Sequence, residues 1–277
     1  MDEFANEYFA KITKIASDFE NRRRDLAKSR IKLFVAAVSR QLLELNKVFD
    51  VIVGAGNSGL FMTKIAEMTY KKLNIDAPLI LNLPIYKFKD DTKTPYDNSF
   101  LVPEVSNKLF EIHKLNNILF VDDEIMQAIT AKECFNLILQ ANKDIEHLNA
   151  TIVAENHFFE WHYDMPRVSI KFFAYAPLIQ GLNGNIGYFI PVDLFKKISS
   201  IQTNVLSHNH AMAIIIGGAL KKIGADGKSY FDFTIENDLK EQITDYETQK
   251  TLLVSELSNI VDEGVEEYKA GEIKFRF

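Results

Sequence analysis

The run Asn117-Ile-Leu-Phe-Val-Asp-Asp-Glu124 constrains this chain more than any other. Residues 118–121 are consecutive apolar side chains, the pattern of a strand buried on both faces, as in a parallel sheet. Asp122, Asp123 and Glu124 follow at once. Burying adjacent carboxylates is strongly unfavourable, so the acids are expected just past the strand end, where water or a cation reaches them. A simpler role, capping the helix that follows, is open to them as well. Apolar residues return at helical spacing over 130–139, giving strand, acidic turn and helix in that order. In an open α/β sheet, ligands bind in the crevice beyond the carboxyl ends of the strands. The stretch therefore marks a candidate site.

A second unit of the same kind lies upstream. Val51, Ile52 and Val53 form a short buried strand, Gly54-Ala-Gly-Asn-Ser-Gly59 a tight turn, and residues 60–73 a helix with Phe61, Ile65 and Met68 to pack on the sheet. A glycine-rich turn entering a helix presents free N–H groups and a positive dipole end, which suit phosphate. The spacing of Gly54, Gly56 and Gly59 also matches the dinucleotide fingerprint, which further requires an acid about twenty residues on, at the end of the next strand. That strand, residues 78–83, ends without one, so a flavin or nicotinamide oxidoreductase is the lesser alternative. Residues 86–104 are polar and irregular, and Lys87, Lys89 and Lys93 would suit an anionic ligand under a lid. A solvated hairpin fits that segment equally well. Strands over 147–154 and 168–175 complete an α/β core, a mostly parallel sheet flanked by helices.

Residues 47–180 resemble the core of the type I phosphoribosyltransferases, through both motifs in order. The resemblance implies binding of phosphoribosyl pyrophosphate (PRPP) with Mg²⁺, and transfer of the phosphoribosyl group to or from a nucleobase. By that resemblance Asp122 and Asp123 hold the ribose hydroxyls and the metal, with Glu124 beside them, and Met126, Gln127, Ala128, Ile129 and Thr130 cradle the 5′-phosphate. Ala55, Gly56, Asn57, Ser58 and Gly59 correspond to the pyrophosphate loop, and the segment 87–103 to the mobile lid. The phosphate loop of the family usually reads Thr-Gly-Gly-Thr, whereas Gln127-Ala-Ile-Thr130 lacks both glycines. If the loop needs a positive φ, Ala128 or Ile129 is strained there. The alternative is a PRPP- or nucleotide-binding regulatory module without turnover. Met126 stands where hypoxanthine-type members carry an aspartate, which disfavours that subclass.

Composition sets the outer bounds. With 277 residues, 47% hydrophobic and 25% charged, the chain can bury a substantial core. A net charge of -6 argues against broad binding to nucleic acid, and the partner expected is a small molecule. The single cysteine, Cys134, cannot form an internal disulfide, and no apolar run near the start is long enough for a signal peptide or membrane span. A soluble cytoplasmic protein is expected.

The flanks, 1–46 and 181–277, are expected to pack on the core as a hood or as the contact of a homo-oligomer. Phe4, Tyr8, Ile12, Ile15 and Phe19, then Leu26, Ile31, Phe34, Val38 and Leu42, recur at helical spacing, as two helices or one broken helix. Arg22, Arg23 and Arg24 read as a solvated helix face. Tyr188 or Phe189 could stack on a base, with core burial the simpler reading. His208 and His210 would share a face on a strand but diverge on a helix, and no acid or cysteine at ligand spacing supports zinc. Residues 225–228 read as a turn before a strand, and 238–269 as helix.

Overall fold

The computed structural model describes residues 3–85, 97–110, 112, 114–125, 128–156, 165–177, 186–205 and 207–275. Five strands, β1 (Val51–Ala55), β2 (Leu79–Leu83), β3 (Asn117–Ile125), β4 (Leu148–Asn156) and β5 (Val168–Pro177), form one sheet in the order β2-β1-β3-β4-β5. Every pairing in it is parallel. The continuous apolar runs read from the sequence have this cause: alternate side chains of each strand enter cores on opposite faces. Ile52, Leu119, Val121 and Val153 point into one, and Val51, Val53, Ile118, Phe120 and Ile152 into the other.

The first core lies under α1 (Glu3–Leu43), α2 (Gly56–Lys72) and the C-terminal helices α5 (Val192–Ile201), α6 (His208–Gly217), α7 (Ile235–Gln242) and α8 (Tyr246–Lys269). The second lies under α3 (Val102–Leu109) and α4 (Ile129–Ala141). A short antiparallel hairpin, β6 (Lys221–Ile223) with β7 (Ser229–Phe231), follows α6. Its turn is the one expected at 225–228, closed by Gly224 N–H donating to Lys228 O at 2.8 Å. Among the described residues no helix is long and apolar enough to cross a membrane.

Several expectations are sharpened or corrected. The N-terminal region is one unbroken helix. Its arginines are more than a solvated face: Arg22 is exposed, but Arg23 donates to Tyr188 Oη at 2.5 Å and lies over that ring, while Arg24 donates to Phe189 O at 2.9 Å and pairs with Glu256 of α8. Phe189 is buried in the core and Tyr188 is held by Arg23. The expected helix over 238–269 is broken at Ile243, where α7 ends before α8 begins. Phe4, Tyr8, Ile12 and Ile15 carry side chains outside the described set.

Candidate functional site

The chain passes from β1 to its neighbour β2, and then back across β1 to β3. The loops leaving β1 and β3 consequently diverge, which opens a crevice at the carboxyl edge of the sheet. Gly54 pairs with Val121, so the glycine turn and the acids leave the sheet at the same level. A cavity of about 390 Å³ lies there, lined by Ala55, Gly56, Asn57 and Ser58 from one unit and Asp122, Asp123, Glu124 and Thr130 from the other. Two motifs separated by more than sixty residues in sequence (residues 55–58 and 122–130) thus share one site.

The glycine turn is tighter than expected. No loop separates strand from helix: α2 begins at Gly56, whose φ of 64° is left-handed and unfavourable for a residue with a Cβ. Gly59 does not line the cavity and instead packs its backbone against Gly54. The free amides of the first turn of α2 therefore face the crevice without side-chain caps.

The acids lie inside β3 rather than past its end. β4 runs on to Asn156, so Glu124 and Ile125 still find partners in Glu155 and Asn156. Between Val121 and Glu124 the register shifts, with Asp122 and Asp123 opposite the single residue Ala154, a β-bulge. In a regular strand these two side chains would point to opposite faces. The bulge breaks that alternation, and both reach the crevice. Asp122 is buried, and its Oδ1 accepts from the N–H of Asp123 at 3.0 Å; Tyr175 Oη donates to Asp123 O at 2.9 Å. Burial, then the charges of Glu155 and Asp123, push the Tyr175 phenol well above its ordinary pKa. It acts as a hydrogen-bond donor.

The acids do not cap α4. Its N-cap is Ala128, with no side-chain hydrogen bond and a left-handed φ of 53°. The strain anticipated for the missing glycines falls on this residue. Thr130 lines the crevice, whereas Ala128 is buried and Ile129 partly exposed outside it. Met126, Gln127, Lys87, Lys89 and Lys93 lie outside the described residues.

The far wall comes from residues that sequence reasoning did not assign to the site: Ser207, Asn209, His210 and Lys221, with Ile85 after β2. Gly217 allows α6 to press against α2, since a Cβ there would lie 2.0 Å from Leu60 Cδ2. Ser207 caps α6 by accepting from His210 N–H at 3.3 Å. Asn209 Nδ2 donates to Asp123 Oδ2. Lys221 N–H donates to Asn57 Oδ1 at 3.1 Å, and Lys221 Nζ donates to Ile85 O, near Gly56. The two histidines diverge, as expected on a helix: His210 faces the crevice, while His208 stacks on Phe195 at 3.9 Å. Burial and the Lys221 ammonium lower the pKa of His210.

Among the described residues no cluster of three or more His, Cys, Asp or Glu is placed to hold a metal ion. Asp122 and Asp123 nonetheless fit the usual mode of Mg²⁺, which takes one or two carboxylates together with substrate phosphates.

No protein-family model matches the chain. No curated protein matches it. Over 53% of its length it is similar to a solved structure, that of a hypothetical protein from Neisseria gonorrhoeae with bound ppGpp, at 14% identity and a TM-score of 0.35, covering 78% of that chain. Function therefore rests on the site itself.

Proposed function

We propose that this chain binds PRPP with Mg²⁺ in the crevice between β1 and β3, as a phosphoribosyltransferase-like protein. One observation carries the reading: the glycine turn, the paired aspartates and Thr130 line a single cavity at the switch point of a parallel sheet. The N-terminal amides of α2 and the Lys221 ammonium suit a pyrophosphate, and the start of α4 suits a 5′-phosphate. Asp122 and Asp123 would accept from ribose hydroxyls and share Mg²⁺ with the pyrophosphate. Bound there, Mg²⁺ would neutralise the leaving group as the ribosyl carbon becomes cation-like.

Ala128 favours a second reading, binding without turnover. A phosphate loop whose left-handed position holds a residue other than glycine is strained where the transferase would need it best ordered.

Calorimetry with PRPP, with and without Mg²⁺, tests binding. A charge-assisted hydrogen bond to a ribose hydroxyl is worth roughly 1.5–3 kcal/mol, so Asp123→Asn is expected to weaken PRPP by about tenfold or more. No heat from the wild type with Mg²⁺ would overturn the proposal. Binding without product across a panel of nucleobases selects the second reading.

A further inference from the structure

Two bulges flank β4, one on each side. In β3, Asp122 and Asp123 stand opposite Ala154 alone. One residue further along β4, Glu155 stands opposite both Tyr175 and Ala176 of β5, because the pairing passes from Ala154 with Ala174 to Asn156 with Pro177. Each bulge leaves a residue outside the ladder. The backbone of Asp123 consequently has no strand partner: β1 pairs no further than Gly54 with Val121, and the pairing with β4 resumes at Glu124. Its carbonyl oxygen accepts from the Tyr175 hydroxyl instead, at 2.9 Å and from two strands away. Neighbouring strands lie about 4.8 Å apart, so the phenol crosses the whole width of β4 to make this bond.

The ring is held for that reach by α1. Tyr175 is 2% exposed and meets Phe34 edge-on at 5.6 Å. The Glu155 carboxylate, whose charge acts on the same phenol, is engaged by Arg30 and is thereby a poorer rival for the hydroxyl proton. β4 forces a bulge into β3, but its pairing alone does not choose which residue is the extra one. A bulge displaced along β3 would restore alternation between Asp122 and Asp123 and send their side chains to opposite faces.

We infer that Tyr175 is the positioning residue of the crevice: its hydroxyl fixes the bulge of β3 at Asp122 and Asp123 and so keeps both aspartates on the ligand side. The inference rests on the phosphoribosyl reading for what the pair binds. It deepens that reading by assigning the arrangement of the pair to a residue that does not itself line the cavity.

Tyr175→Phe tests it, since the variant loses only the hydroxyl and keeps the ring against Phe34. A crystal structure of the unliganded variant is expected to show the bulge displaced and Asp122 and Asp123 no longer on one side. In calorimetry its affinity for PRPP with Mg²⁺ is expected to fall by about tenfold or more. Inorganic pyrophosphate without Mg²⁺, which would engage only the α2 amides and Lys221, is expected to bind the variant within about twofold of the wild type. An equal loss for both ligands would mean general loosening and would overturn the inference, as would a variant whose aspartates keep their places. If Tyr175→Phe does not fold, exchange of the hydroxyl proton in the wild type decides, read through the Tyr175 Cζ resonance in mixed H₂O and D₂O. Slow exchange supports the bond to Asp123, and fast exchange overturns it. The crystal structure needs no ligand, so absent PRPP binding by the wild type sinks the phosphoribosyl reading and leaves the role of Tyr175 to be decided by the position of the bulge.

Discussion

Gly54 and Gly59 touch backbone to backbone where β1 passes into α2: a Cβ on Gly54 would lie 2.4 Å from the carbonyl oxygen of Gly59. A Cβ on Gly59 would lie 2.6 Å from the carbonyl carbon of Gly54. The end of β1 and the first turn of α2 approach this closely only because neither residue has a side chain. Gly54→Ala and Gly59→Ala are each expected to destabilise the protein by at least the roughly 1–3 kcal/mol typical of overpacking, since backbone cannot rotate out of the way. Gly227→Ala is the control: nothing lies within 4 Å of its Cβ, and only its φ of 73° opposes the change, at about 1–2 kcal/mol. Urea midpoints should rank the glycine-turn variants clearly below the control.

Ala128 predicts the opposite sign. A left-handed φ costs an alanine roughly 1–2 kcal/mol, against about 0.4–1 kcal/mol for the extra freedom that glycine brings to the unfolded chain. Ala128→Gly is therefore expected to raise the thermal midpoint, and a lower midpoint would contradict the strain assigned to this N-cap. Under the proposed function the same variant restores a glycine to the phosphate cradle, so PRPP affinity measured alongside should not decrease.

Behind the acids, Arg30 of α1 pairs with Glu155 of β4, their side chains 3% and 1% exposed. Removing one partner strands the other charge in the core, so Arg30→Met is expected to cost about 3–5 kcal/mol. The double variant Arg30→Met/Glu155→Leu, with no charge left to bury, should recover much of that loss. A double-mutant cycle from denaturant unfolding measures the coupling, and additive losses would argue against a close buried pair.

His208 is pressed between Phe195 and Tyr188, and burial followed by the nearby Arg23 charge lowers its pKa to about 4. In the unfolded chain the imidazole titrates near 6.5, so between these values the unfolded state binds more protons than the folded one. The contribution of this stack is thus complete above about pH 6.5 and is lost as pH falls toward 4. Thermal midpoints recorded from pH 7 to 4 should decline less steeply in His208→Phe than in the wild type. Equal slopes would remove His208 from the acid sensitivity.

The sequence by itself determined the sheet and both halves of the crevice. Runs such as 51–53 and 118–121 have the pattern of strands covered on both faces, the glycine spacing after the first marks where β1 hands over to α2, and the acids after the second mark the crevice end of β3. These signals are local, because periodicity and turn chemistry act over a few neighbouring residues. Only the tertiary structure decided that Asp122 and Asp123 share one side. That depends on a bulge forced by β4, whose register with β3 is a property of the pair. It alone also placed Asn209, His210 and Lys221 opposite residues some 85 to 165 positions earlier, through the Gly217 contact with α2 and the Asn57 hydrogen bond. Side chains that meet by packing of distant elements leave no periodic trace in the chain, since each contact is chosen by the shape of both partners once they have met.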